Sequence, residues 1–177
     1  LCSSIGKPLA ERQMKLEKVV EIQSVGKMDP MYSGIVHLPD GCVVLTDFKN
    51  KTCCLYDASY IIVSSYKLHE SPYDVCLMEH TEVAVTYSNK TVQFLSIRDR
   101  SIKVTRTVTT KHRCDGVAAI GRYEIVVSGP ADDLKKCYWS IVSRKAGETC
   151  FYAFDYLYTH VTRVALNRTN TRVYISG

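Results

Sequence analysis

No apolar run in this sequence approaches the roughly 20 residues that a membrane-spanning helix needs, so no such helix and no membrane partner is expected. Its start, Leu1-Cys2-Ser3-Ser4, has no initiator Met, no charged n-region and no apolar h-region. It does not read as a signal peptide, and it reads as a chain cut from something longer. Among its 8 cysteines no two are spaced Cys-x-x-Cys, which leaves out the common zinc modules. The histidines (37, 69, 80, 112 and 160) are isolated, and His112 beside Cys114 is the nearest approach to a ligand pair. A zinc site needs about four converging ligands, so no metal and no cofactor is expected, and these histidines are read as surface or loop residues. No cysteine has a histidine and a third orienting residue at a recognisable spacing, so no nucleophilic centre and no catalytic residue stands out. Strong charge is also lacking. Lys and Arg number 23 against 18 Asp and Glu, a net +5 that permits an acidic or nucleic-acid partner without demanding one.

What is present favours strands. Tyrosine occurs 12 times and tryptophan once, and Thr, Val and Ile are frequent. Residues 7–15 are charged and lack a wide apolar face, and 1–15 read as a linker or the tail of a preceding helix. Val20 and Ile22 alternate with charged neighbours and predict a lone strand before a β-rich region at 16–177. Within it, Gly34–Leu38, Cys42–Asp47, Thr52–Asp57 and Tyr60–Lys67 are four short strands separated by turn chemistry, such as Pro39-Asp40-Gly41. That unit recurs. Gly34-Ile35-Val36 is echoed by Asp74-Val75-Cys76, Gly116-Val117-Ala118 and Arg163-Val164-Ala165, and the second strands end at Thr46, Thr86, Ser128 and Ser176. A period of about 40–45 residues with four strands each predicts an all-β β-propeller of four-stranded antiparallel blades. The blades fall at about 33–71, 72–112 and 113–158, with an incomplete one at 159–177, about three and a half in all. An incomplete ring leaves open sheet edges, so a longer biological chain is expected. Cysteines such as Cys42, Cys76 and Cys114 sit in strand-like runs and read as small buried hydrophobes. Adjacent on one strand, Cys53 and Cys54 must point to opposite faces.

The turns Lys49-Asn50-Lys51-Thr52 and Ser88-Asn89-Lys90-Thr91 match, each joining a second strand to a third. Both spell Asn-x-Thr, as does Asn167-Arg168-Thr169, but recurrence at one repeat position points to a structural job, a turn in which Asn tolerates positive φ and bonds its own backbone, rather than to glycosylation. Leu38-Pro39-Asp40-Gly41, Val43–Asp47, Asn50-Lys51 and Leu55-Tyr56-Asp57 resemble an NHL-type repeat, in which a strand ending in Asp precedes an Asn-containing turn. The style of the following copy is similar to the C-terminal propellers of invertebrate tripartite-motif (TRIM) proteins. The likeness covers roughly 16–177, and it weakens in the third blade, where Ser128-Gly129-Pro130 replaces the Asp turn. This resemblance implies about six blades. It also implies a cytoplasmic parent that is a RING-type ubiquitin ligase, oligomeric through an upstream coiled coil, whose propeller binds protein or RNA.

Connectivity puts the loops between blades and the second-to-third-strand turns on one face of the ring. Tyr73, Asp74, Arg113 and Asp115 lie on the former, and Phe48, Lys49, Lys51, Tyr87 and Lys90 on the latter. Aromatics interleaved with Lys and Arg suit a protein hot spot and equally suit stacked bases. A protein partner is the first reading, because the charge is modest. Single-stranded RNA is the second, with the basic stretch Arg98–Arg113 as a charged rim. Propeller hydrolases or lyases with a central metal are the alternative from another class, with Asp74 and Asp115 as the acidic candidates.

Overall fold

The computed structural model describes residues 19–130, 136–155, 163–167, 169–170 and 172–176. The expected linker or helix tail at 1–15 lies outside them. Everything assigned is strand or turn. Blade 1 is β1 (Tyr32–His37), β2 (Val43–Asp47), β3 (Thr52–Tyr56) and β4 (Ile62–Lys67). Blade 2 is β5 (Pro72–Glu79), β6 (Glu82–Tyr87), β7 (Thr91–Arg98) and β8 (Ser101–Thr109). Blade 3 is β9 (Gly116–Ile120), β10 (Glu124–Pro130), β11 (Lys136–Ser143) and β12 (Gly147–Asp155). β13 (Arg163–Leu166) and β14 (Val173–Ser176) form a two-stranded start of a fourth. Each full sheet is an antiparallel meander in sequence order. The first strands β1, β5, β9 and β13 pack one on the next and form the inner layer of the arc.

Period-2 alternation decides how the blades stack, because one sheet has two buried faces. On the side of blade 1 facing blade 2, Val36, Val44, Cys53 and Leu55 meet Val75, Val83, Val85 and Leu95. Between blades 2 and 3, Ala84, Val92 and Phe94 meet Val117, Ile125 and Val127. Central strands of this kind are buried on both faces, and each fully buried Val or Leu contributes about 1.5–3 kcal/mol. Cys53 and Cys54 do point to opposite faces, Cys53 into the interface with blade 2 and Cys54 into the cluster on the far side. The six cysteines whose side chains are described are free thiols.

Four expectations need correction. Residues 19–25 make no strand. Ile22 and Val25 instead lie on the outer face of blade 1 against Val43, Leu45, Cys54 and Tyr56, and Tyr56 Oη donates to the Gln23 carbonyl at 2.7 Å. The two Asn-Lys-Thr turns are not equal in length. Asp47 pairs with Thr52 across four residues, whereas Tyr87 pairs with Thr91 across three. Positive φ falls on Lys51 (49°) and Lys90 (64°), not on the asparagines, because the residue before the new strand must reverse the chain. Finally, His112 is neither on the surface nor loosely held. It is 2% exposed, and because the Arg113 carbonyl can only accept, Nδ1–H donates to it at 2.5 Å. Nε2 then accepts from Ser140 Oγ at 3.1 Å, and burial lowers the imidazole pKa, so the ring stays neutral.

Candidate functional site

The face carrying the inter-blade loops is assembled from three blades. Asp47 ends β2 with its carboxylate buried. It accepts from Asn50 Nδ2 at 2.8 Å, from Asn50 N at 3.1 Å and from Met31 N at 3.1 Å. Burial alone would raise its pKa, but these donors outweigh that and hold it below the ordinary carboxylate value. Asn50 also exchanges two bonds with Met28, Nδ2 to its carbonyl at 2.9 Å and Oδ1 from its amide at 3.1 Å. With Nδ2 used twice in a 4% exposed site, Asn50 cannot carry a glycan. The bonds tie the β2–β3 turn to the chain that leads into blade 1, and so fix Phe48 at the turn's shoulder.

From there a row of side chains crosses the face. The Phe48 ring meets the Tyr73 ring edge-on, with centroids 5.2 Å apart. The Arg113 guanidinium carbon stands 5.8 Å from the centre of the Tyr73 ring. Arg113 Nη2 lies 3.5 Å from Asp115 Oδ2, near the limit of an ion pair, so the guanidinium keeps capacity for another carboxylate. Phe48, Tyr73 and Arg113 are each partly exposed, which suits groups that must be reached. Lys49 is exposed beside them, and Lys51 Nζ pairs with Glu70 Oε1 at 2.8 Å. Lys67 Nζ donates to the Asn50 carbonyl at 2.6 Å and braces the same turn. Lys90 is partly exposed in the β6–β7 turn, and its carbonyl accepts from Thr110 N at 2.8 Å.

Two of the expected residues sit elsewhere. Tyr87 is fully buried, its Oη donating to Gln93 Oε1 at 2.7 Å and its ring against His69 at 4.5 Å. The shorter turn of blade 2 draws it into the last rung of the ladder, so no ligand can touch it. Asp74 faces the axis of the arc. Its Oδ1 pairs with Arg163 Nη1 at 2.7 Å, and its Oδ2 accepts from Val117 N at 3.2 Å. Arg163 Nη2 in turn donates to the Ser33 carbonyl at 3.0 Å. One carboxylate therefore ties blade 2 to blade 3 and, through Arg163, to blades 4 and 1. Burial raises the Asp74 pKa, although Arg163 and the amides of Val75 and Val117 pull it down.

Sequence reasoning missed Asp47, Asn50, Glu70 and Arg163 as positioning residues. The signal for Asp47 and Asn50 was their three-residue spacing at a turn. Arg163 had none, because its contacts cross three blades.

The basic stretch does not form one rim. Arg98 and Arg100 lie at the end of blade 2 opposite to Lys111 and Arg113, with the nine residues of β8 between them. At that opposite end, Arg144 binds Glu82, Arg122 Nε binds Glu79 at 3.1 Å, and Arg106 Nη1 donates to the Lys145 carbonyl at 2.7 Å. This polar network clamps blade 2 to blade 3 around a cleft of about 400 Å³. Among the described residues no three His, Cys, Asp or Glu side chains converge as a metal-binding group.

No known protein-family profile matches the chain, and no curated protein does. Solved chains similar in fold number 566, so the likeness specifies architecture rather than chemistry. One of them is hydrazine synthase of Kuenenia stuttgartiensis. At 8% identity it superposes with a TM-score of 0.70 over 81% of this chain, and the chain spans 43% of its length. The fold is all-β and β-propeller-like, built from four-stranded antiparallel blades. A likeness at that identity carries no activity across.

Proposed function

We propose that the chain is a non-enzymatic recognition module that holds a protein partner on the inter-blade face. The observation that carries this reading is the row Phe48–Tyr73–Arg113, two aromatics and an arginine from three blades, with Phe48 and Arg113 each against Tyr73 and all three partly open to solvent. Tyr and Arg are the side chains most often found at the energetic centre of protein interfaces. The capacity left on Arg113 suits a carboxylate on the partner. The Asp47–Asn50 turn that fixes Phe48 is the feature that resembles NHL repeats, and it supports substrate recognition within a TRIM-type ubiquitin ligase. Free thiols at all six described positions support a reducing, cytoplasmic setting. Division of the basic stretch between two ends of the blade favours protein over RNA as the ligand.

Quantitative affinity capture tests the reading. Proteins retained by the wild type should be lost from Phe48→Ala and Arg113→Ala variants of unchanged melting temperature. Labelled single-stranded RNA should show no binding at low salt. Retention that ignores both substitutions, or RNA binding that falls steeply with salt, refutes it.

A further inference from the structure

The two full junctions, blade 1 on blade 2 and blade 2 on blade 3, stack on matching apolar positions except at one end. There, strand register aligns Cys42 with Glu82, Val63 with Thr105 and Ile97 with Arg144. The backbone repeats the match, since Ile97 N donates to the Thr81 carbonyl at 2.6 Å and Arg144 N to the Tyr123 carbonyl at 2.7 Å. Cys42, Val63 and Ile97 all belong to the apolar cluster between blades 1 and 2. Their counterparts make a polar wall instead. Glu82 is buried, its Oε1 accepts from Thr105 Oγ1 at 3.2 Å, and its Oε2 pairs with Arg144. A buried ion pair stabilises a fold no better than well-packed apolar residues in its place, so the stacking of blades does not account for the change.

What the change creates is an excess of cations. Arg98, Arg106, Arg144 and Lys145 line the cleft of about 400 Å³ at this end, against Glu79 and Glu82 alone. Glu82 takes Arg144 and Glu79 takes Arg122, and among the described residues no carboxylate pairs with Arg98, Arg106 or Lys145. The matching cleft between blades 1 and 2 is balanced, with Arg98 and Arg100 set against Asp40 and Asp99. Two guanidinium groups of the excess are held in place. Arg106 Nη1 donates to the Lys145 carbonyl at 2.7 Å and Arg144 Nη1 to Glu82, and each group keeps further N–H donors.

We propose that this cleft binds a small organic phosphate through its terminal phosphate monoester. Three cations without a carboxylate are more than one carboxylate ligand would use. A phosphate monoester brings close to two negative charges and three strongly accepting oxygens, which guanidinium forks match. Thr81 and Ser96, both partly exposed in the same wall, add hydroxyl donors. Glu79 and Glu82 oppose an extended polyanion such as RNA, and the volume is that of a small-molecule site. The cleft lies between two four-stranded blades, at the end opposite to the Phe48–Tyr73–Arg113 row, so it stands apart from the partner face.

Isothermal titration calorimetry of the protein at low ionic strength and about pH 7.5, where the monoester is a dianion, tests this with inorganic phosphate and glucose 6-phosphate as probes. Both should bind saturably, one per chain, and glucose should not bind. The side chains of Arg98 and Lys145 make no hydrogen bond among the described residues, so Arg98→Gln and Lys145→Gln should leave the melting temperature little changed. Each should weaken glucose 6-phosphate binding about tenfold, the loss of one charge-assisted hydrogen bond. Lys27→Gln, beside the β2–β3 turn, should leave that affinity unaltered. Binding that is absent or unsaturable overturns the proposal, as does binding that both cleft variants retain or that Lys27→Gln weakens equally. A phosphoserine peptide bound more than about tenfold tighter than glucose 6-phosphate also overturns it, and gives the cleft to a phosphorylated partner.

Discussion

Replacing Asp74 separates two jobs of one carboxylate. As an acceptor it satisfies the buried amide of Val117 at 3.2 Å and the amide of Val75 at 2.9 Å. As an anion it pairs with Arg163, whose side chain is 53% exposed and keeps solvent contact. Asp74→Ala removes both, and leaves the Val117 amide buried without a partner, at a cost of about 1–3 kcal/mol. Lost packing beneath β9 adds to this, for a total of about 2–4 kcal/mol. Asp74→Asn keeps one acceptor oxygen but sets an amide NH2 against either the Val117 amide or the Arg163 and Val75 donors, so it gives up the charge and one accepting oxygen. Because burial raises the Asp74 pKa in the folded state, the ionised carboxylate is not what the fold prefers. Asp74→Asn is therefore expected to cost less than Asp74→Ala, about 1–2 kcal/mol at pH 7, nearly all of it from the lost acceptor.

The raised pKa fixes the sign of the pH effect. A group whose folded pKa lies above its unfolded value contributes stability that is full below the unfolded value, about 3.9 for Asp, and is lost as pH rises through the folded value. The difference in stability between wild type and Asp74→Asn should thus shift in favour of wild type as pH falls from 7 toward 4. Taking the difference cancels Asp47 and the other carboxylates common to both chains. Urea denaturation of the three proteins at pH 7.0 and about pH 4.5 measures it. An Asp74→Asn variant as unstable as Asp74→Ala at pH 7, or a difference that does not move with pH, refutes this account of the axial carboxylate.

Three further outcomes can be measured. Gly129→Ala puts a Cβ 2.1 Å from the Arg113 carbonyl oxygen, so the β8–β9 loop must move; urea denaturation should show a loss of about 3 kcal/mol or more, and partner capture through Arg113 should fail with it. Asp47→Ala should cost about 2–3 kcal/mol, since two buried donors of Asn50 and the part-buried amide of Met31 lose their acceptor; in the wild type that stability is present above about pH 4 and is lost as pH falls through the depressed Asp47 value, which acid titration of the fold by circular dichroism reads. Burial pushes the Cys114 thiol up to about 12 and raises that of Cys53 as well, so neither should react with an aromatic disulfide reagent at pH 8 until the protein is unfolded.

The blades were legible because three local signals agree in each. Alternation sets the faces, short turns such as Pro39-Asp40-Gly41 set the reversals, and the copies confirm one another. Legible too was the placing of Phe48, Tyr73 and Arg113 on one face, since connectivity alone fixes it. What escaped depends on registry. Tyr87 looked like a loop residue because the Asn-Lys-Thr triplets were matched, and one residue fewer in that turn carries it into the ladder. The stretch from Arg98 to Arg113 looked like a single charged surface, but a strand advances about 3.3 Å per residue and so separates its ends. Val20 and Ile22 alternate as a strand would, yet residues 19–25 pair with no strand among the described residues, and Ile22 packs with Val25 on the outer face of blade 1.

The position that aligns the repeat carries glycine in two copies and a charged residue in the other two. Gly34, Asp74, Gly116 and Arg163 are equivalent on the four inner strands. A Cβ at Gly34 would stand 2.9 Å from Val75 N, and one at Gly116 2.9 Å from Val164 N, so at these two steps the next inner strand approaches as backbone against backbone. At the step between them Asp74 fills the same space with a carboxylate that accepts from Val117 N. Arg163 ends the series and returns across the axis to Asp74 and Ser33. Close approach at two junctions and a charged tie at the third join the inner strands through backbone contact and directional bonds that apolar strand residues alone do not supply. The repeat is therefore held constant where sheets stack and varies where strands meet the axis. The same division leaves the inter-blade loops free to differ, and those loops carry the row of Phe48, Tyr73 and Arg113.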